Sequence, residues 1–199
     1  NQAVKIGLLH NWAFKLPKIY LQFQNLLNIN ASSQYVHRTG QDYSNGINAD
    51  NGSFNQLYKG IYSTQLTAKQ DIKKDISFVE WMVGYNYSYR NQPDYRNYVQ
   101  DLDTATGKTT LRIQTGSATP EVLGRFFSKM KENDASLSAA YTHKFKEKKN
   151  NVISTITAGV FADYKNRSFG ARNMGFIVSN LSLFDVSLRD KSIQELFQQ

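Results

Sequence analysis

The sequence predicts an all-β chain, a section of about six antiparallel strands from a large transmembrane β-barrel, with long extracellular loops and a short C-terminal helix. Three observations carry that expectation. Six stretches alternate apolar and polar side chains, tight polar turns at 15–18, 71–75 and 146–151 join them in pairs, and long polar segments at about 37–57, 90–132 and 166–199 lie at their other ends. Membrane barrels have this asymmetry because their hairpins turn briefly on the periplasmic side and elaborate their loops outside.

Composition is compatible with a membrane despite a polar average. The 199 residues have a mean hydropathy of -0.53, and no apolar run approaches the ~20 residues of a spanning helix. A barrel strand needs apolar residues only at alternate positions over roughly 10 residues. Twelve Tyr and 12 Phe against 3 Pro suit strands with aromatic girdles at the membrane interfaces. Cysteine is absent, which excludes disulfide and thiolate chemistry and leaves the redox compartment open. The sequence starts at Asn1 without initiator Met, signal peptide or lipidation box. Because an outer-membrane protein carries an export signal, a mature product or a piece of a longer chain is expected.

The strands justify themselves in order. Over about 3–14, Val4, Ile6, Leu8, Trp12 and Phe14 oppose Lys5, Gly7, Asn11 and Lys15, with His10 interrupting the apolar set. Over 19–36, Ile19, Leu21, Phe23, Leu27 and Ile29 share a face, and the neighbours Leu26 and Leu27 break parity, predicting a bulge there. Tyr58, Tyr62, Leu66 and Ala68 mark 58–69. The stretch 76–89 is the clearest, with Val79, Trp81, Val83, Tyr85, Tyr87 and Tyr89 opposing Glu80, Met82, Gly84, Asn86 and Ser88. Leu137, Ala139, Tyr141 and Phe145 mark 134–146; over 152–165, Val152, Ile156, Ala158, Val160 and Tyr164 oppose Thr155, Thr157, Gly159, Asp163 and Lys165.

With the tight turns periplasmic, Tyr58, Tyr62, Tyr85, Tyr87, Tyr89 and Tyr164 gather toward the outer end and Trp12, Phe14, Trp81 and Phe145 toward the periplasmic end. Two aromatic belts follow from one assumption about orientation. The competing fold is a soluble β-sandwich, which alternates in the same way. Strands of roughly 12 to 14 residues exceed the usual five or six, and loops this long are uncommon in a compact sandwich. Bacterial single-chain barrels begin at eight strands, so further strands are expected to close this one.

The polar segments have local patterns of their own. Asp101-Leu102-Asp103 faintly resembles a calcium loop, but Ala105 and Thr106 replace a ligand and the turn glycine, and Arg112 stands where a bidentate Glu belongs. A hairpin around 103–107 is the better reading, closed by Gly107. Ser192-Ile193-Gln194-Glu195 is a capping box, and Ile193, Leu196 and Phe197 share one helical face, so a short helix should dock on the outer rim and pack over neighbouring loops.

Chemistry-bearing constellations are sparse. His10, His37 and His143 lack ligand spacing, and no nucleophile elbow or phosphate loop occurs. No enzymatic activity, metal or cofactor is expected. The net charge of +8 and the interleaving of Arg90, Tyr95, Arg96 and Tyr98 invite a nucleic-acid reading. Yet the cations are spread over turns and loops and interrupted by Glu80, Glu132, Asp134 and Asp163. Outer-loop arginines facing lipopolysaccharide phosphates, or an anion-tolerant vestibule, account for them without nucleic acid.

Three stretches carry a family resemblance: Arg90-Asn91-Gln92-Pro93-Asp94-Tyr95-Arg96; Gly124-Arg125-Phe126-Phe127-Ser128 leading to Glu132-Asn133; and Tyr164 through Arg172 with Gly175-Phe176. Together they resemble the barrel of Bacteroidota TonB-dependent outer-membrane receptors, in the family's order and across the whole of 1–199. The resemblance implies nutrient import through a plugged 22-stranded barrel, often preceded by a carboxypeptidase-regulatory-like domain. It also implies residence in the bacterial outer membrane. The implied partners are the membrane lipid and lipopolysaccharide, the remainder of the barrel and its plug, and the TonB complex acting through the plug region, with room for a surface lipoprotein.

On that reading, Glu80, Asn86, Ser88, Thr155, Thr157 and Asp163 face the lumen or plug, and Tyr95, Arg96, Tyr98 and Arg112 are candidates for the substrate vestibule. Two other classes stay open. One is a non-transporting barrel subunit of a secretion or surface assembly, which a parent chain without a plug would reveal. The other is a soluble carbohydrate-binding β-sandwich, which solubility without detergent would reveal. The nutrient itself is not legible, since selectivity depends on loops and a plug beyond these residues.

Overall fold

A computed structural model describes residues 1–43, 47–74, 76–146 and 153–197. Its elements are strands β1 (Gln2–Lys15), β2 (Ile19–Asp42), β3 (Ile47–Lys73), β4 (Ser77–Leu102), β5 (Thr109–Leu111), β6 (Gln114–Thr115), β7 (Leu123–Lys146), β8 (Ile153–Gly175) and β9 (Ile177–Val178). A 3-10 turn over Val186–Asp190 and helix α1 (Ile193–Phe197) follow. Six long strands form an antiparallel sheet in the order β1-β2-β3-β4-β7-β8, with β5 added beside β4 as a seventh. The short β6 and β9 pair in parallel apart from this sheet. No helix among the described residues is long and apolar enough to cross a membrane, which leaves crossing by strands open.

The strands run far beyond their alternating portions. The expected loops at 37–57, 90–132 and 166–199 are in large part strand, because β2 continues to Asp42, β3 starts at Ile47, β4 runs to Leu102, β7 starts at Leu123 and β8 runs to Gly175. At 27 residues for β3 and 26 for β4, a strand reaches roughly 85 Å at about 3.3 Å per residue. Cross-strand pairing, rather than alternation, holds these polar extensions. The turn expected at 146–151 falls mostly outside the described residues. No bulge occurs at Leu26 and Leu27, where the register with β1 and β3 is continuous. Leu26 instead turns to the polar face opposite Leu9, so a cross-strand leucine pair accounts for the broken parity.

Register unites the apolar alternations on one face. Trp12, Phe23, Leu66, Val83, Leu137 and Ala162 stand in a single cross-strand row, as do Phe14, Leu21, Ala68, Trp81, Ala139 and Val160. Many of these side chains are exposed, including Trp12, Val83, Leu137 and Val160. His10 falls on this face opposite Asn25, whose Oδ1 accepts from Thr64 at 2.8 Å. A three-residue polar spot thus interrupts the belt.

The upper border of this belt runs obliquely across the rows. Its last apolar member on β1, Val4, shares a row with Ala31 and Tyr58 but also with Asn91, Lys129 and Gly170. The last member on β8, Tyr164, shares a row with Ala135, Tyr85, Thr64, Asn25 and His10. The border therefore steps by about six residues over five strand-to-strand steps, roughly 20 Å along the strands against roughly 24 Å across them, an inclination of about 40°.

A small packed core lies where the strands extend beyond the belt. Leu111, Leu123 and Phe197 are buried together, with Tyr98, Ile113, Ile193 and Leu196 against them. The capping box forms as expected: Ser192 N–H donates to Glu195 Oε2 at 3.1 Å and Glu195 N–H to Ser192 Oγ at 3.4 Å. All three apolar residues of α1 reach this core, so the short helix is held by tertiary packing rather than by its own length.

Candidate functional site

The face opposite the apolar belt is polar and hydrogen-bonded across strands. Glu80, Asn86, Ser88, Thr155, Thr157 and Asp163 all lie on it by register. Lys69 Nζ reaches Glu80 at 3.2 Å, Ser63 Oγ donates to Asn86 Oδ1 at 2.6 Å, and the Thr142 and Thr157 hydroxyls are 3.0 Å apart. Lys165 pairs with Asp134 at 3.2 Å and Arg167 with Glu132. Exposed pairs of this kind contribute about 0–1 kcal/mol each. Their main consequence is a hydrophilic face.

The four vestibule candidates do not share a face. One extra residue between Gln92 and Tyr95, relative to Ser128 and Phe126, makes a bulge that reverses parity along β4. Tyr95 therefore falls on the polar face, while Arg96 and Tyr98 turn to the belt side beneath α1. Arg112 is engaged with Asp101, its Nε donating at 2.9 Å.

Near the far end of the polar face a cavity of about 530 Å³ opens, with Arg38, Asn51, Gln92, Tyr95, Asn97 and Glu121 among its polar walls. Asn97 Nδ2 donates to the Pro120 and Glu121 carbonyls at 2.8 and 2.7 Å, folding the segment 117–121 over the cavity. Gly124 permits that approach, since a Cβ there would lie 2.2 Å from the Pro120 oxygen. Asn51 Oδ1 is buried without a hydrogen-bond partner, an available acceptor beside the cavity. Sequence reasoning singled out neither Asn51 nor Asn97. Gly124 stands in one of the resemblance stretches, but its contact with Pro120 depends on a loop path that alternation does not encode.

On the belt side, the three resemblance stretches meet. Asp94, at the bulge, accepts from Arg96 Nε at 2.6 Å and from Arg125 Nε and Nη2 at 3.0 and 2.8 Å. Arg172 lies over the Phe127 ring at 4.9 Å, and Arg125 lies over the same ring at 5.2 Å. Arg96 and Arg125 also stack on Phe197 of α1, at 5.4 and 5.8 Å. Burial works to raise the Asp94 pKa, but the Arg125 and Arg96 guanidinium groups outweigh it and hold the carboxyl below its ordinary range. Nearby, burial and the 3.0 Å contact with the Tyr35 hydroxyl push the Tyr98 phenol upward. These residues form a structural latch.

The expected hairpin forms between β4 and β5: Asp103 accepts from Ala105 N–H at 2.9 Å and Thr106 Oγ1 at 2.7 Å, and Gly107 takes φ +68°. Among the described residues, no group of three His, Cys, Asp or Glu side chains is placed to hold a metal ion. His37 pairs with Asp50, and His143 packs between Tyr141 and Phe145. No protein-family model, curated protein or solved structure matches the chain.

Proposed function

We propose that this chain forms part of the wall of a TonB-dependent outer-membrane transporter, which imports a nutrient through a plugged barrel. The observation that carries the barrel reading is the oblique apolar belt. Its inclination of about 40° matches the roughly 35–45° tilt of strands in membrane barrels. Its height, about eleven residues from Val79 to Tyr89, matches the span of a tilted transmembrane strand. Val83, Leu137, Val160 and Phe14 on this belt are about half exposed or more, an apolar surface that lipid would cover.

The polar face then lines the lumen. Glu80, Asn86, Ser88, Thr155, Thr157 and Asp163 contact plug or water, and strands beyond β1 and β8 complete the wall. The extended strands stand above the outer leaflet, placing the Arg38, Asn51, Tyr95 and Asn97 cavity where a hydrated substrate would enter. Its polar walls suit a ligand rich in hydroxyl or amide groups. The segment 117–121 narrows that entrance. Import on this reading requires no covalent chemistry from the chain; energy comes from TonB and the proton-motive force acting on the plug, as the resemblance implies.

The test is uptake of glycan, siderophore, peptide and cobalamin probes by cells with and without the gene, each with and without a proton-motive-force uncoupler. Uptake of one probe class that needs both gene and gradient supports transport. Outer-membrane residence with uptake of every class unchanged favours the non-transporting subunit. Recovery in a soluble fraction removes the membrane reading.

A further inference from the structure

We infer that the belt side carries a binding site for the phosphorylated headgroup of an outer-leaflet glycolipid, centred on Lys129 and Lys131 beside Tyr58, Tyr87 and Tyr89. The inference rests on the proposed orientation in the outer membrane. These five residues, with Arg90, Asn91 and Met130, line a recess of about 500 Å³. Register places Lys131 opposite Tyr89, the last apolar residue of the belt on β4, and Lys129 opposite Asn91, beyond the row of Ala135 and Tyr164 in which the belt ends on β7 and β8. The recess therefore sits at the level of the outer headgroups.

Its chemistry fits one occupant. Lys129 and Lys131 are exposed, lie roughly 7 Å apart along one face of the strand, and among the described residues neither enters an ion pair. Glu132 points to the opposite face toward Arg167, and Asp94 is occupied by two arginines, so no free carboxylate competes at the recess. The tyrosine rings supply an apolar floor with polar rims, as interfacial aromatics do. Two unneutralised cations facing lipid at headgroup depth call for phosphate, and the aromatic floor calls for the sugar and acyl roots of the same molecule. A free phosphate would use only the cations.

The test uses the full chain, purified in nonionic detergent and delipidated, then titrated with diphosphoryl lipid A, dephosphorylated lipid A and inorganic phosphate under native mass spectrometry. Diphosphoryl lipid A should bind, and the double variant Lys129→Gln/Lys131→Gln should weaken it about ten- to thirty-fold, as expected for two headgroup-level charges. Lys69→Gln, a cation paired to Glu80 on the other face, should leave binding unchanged. Equal affinity in the double variant, equal binding of the dephosphorylated lipid, or displacement by millimolar inorganic phosphate would each overturn the site. A chain that needs no detergent would instead defeat the membrane reading beneath it.

Discussion

Asp94 and Arg125 come from stretches 31 residues apart and meet in a two-bond ion pair, with Nε and Nη2 at 3.0 and 2.8 Å from the carboxylate oxygens. Arg125 then stacks on Phe197, so the bulge in β4, the start of β7 and the C-terminal helix are fastened at one point. Two parallel guanidinium bonds give this contact geometric specificity as well as energy. It joins two of the three resemblance stretches, and Arg172 of the third reaches the same cluster through the Phe127 ring.

Loss of that pair should release α1. Arg125→Gln is expected to cost about 1–2 kcal/mol of local stability and to speed tryptic cleavage at Lys191 roughly 5- to 30-fold, with Arg125→Lys intermediate because it cannot fork. Proteolysis of the detergent-solubilised protein reads this directly. Cleavage rates equal to wild type would mean the helix is held by its apolar contacts alone.

The same pair sets an acid limit. The native Asp94 pKa is lowered, so its contribution is full above the unfolded carboxylate value of about 4 and is lost as pH falls through the depressed native value. Amide hydrogen exchange in α1, pulsed at each pH and corrected for the intrinsic chemical rate, should stay flat from pH 7 to about 5 and rise only in stronger acid. The Asp94→Asn variant should lose that rise.

The two faces of β4 should respond differently to substitution. Val83→Arg places a charge at mid-depth of the belt, where it costs about 2–4 kcal/mol, and should impair assembly in a heat-modifiability assay. Gly84→Ser should be mild, because the Cβ it adds meets the Ser136 hydroxyl at 2.6 Å, an end that can rotate away. Reversed severity would place the apolar belt on the wrong side of the sheet.

Topology is open to cysteine labelling. Hydrophilic maleimide on intact cells should label single cysteines at Asn48, Thr106 and Gln194. A cysteine at Lys18, in the tight turn where Leu16 N–H bonds the Ile19 carbonyl at 2.9 Å, should react only after the outer membrane is permeabilised. Reversed labelling would invert the orientation.

Asn97→Ala should free the segment over the cavity. Removing two hydrogen bonds is worth about 1–2 kcal/mol, so a cysteine at Thr119 should label about tenfold faster. Gly124→Ala should act in the same direction, since its Cβ would press on the Pro120 backbone. An unchanged rate in both variants would show that other contacts hold the segment.

The sequence by itself determined the alternating portions of the strands, the 103–107 hairpin and the capped terminal helix. Each of these is local: period-two polarity, a positive-φ glycine and a Ser192–Glu195 box all act within a few residues. It did not reveal the strand extensions, because above the apolar belt apolar residues are sparse and register shifts in the β3–β4 and β4–β7 pairings interrupt the alternation. Runs such as Asn48-Ala49-Asp50-Asn51-Gly52-Ser53 have turn-forming composition, yet pairing with β2 and β4 draws them into strand. The vestibule set splits because Tyr95 and the pair Arg96 and Tyr98 have opposite parity along β4; which face each takes is set by the single extra residue between Gln92 and Tyr95, and only the register across strands exposes it. The oblique belt and the Asp94–Arg125 latch likewise belong to tertiary structure, because both depend on which residues stand opposite one another across the sheet.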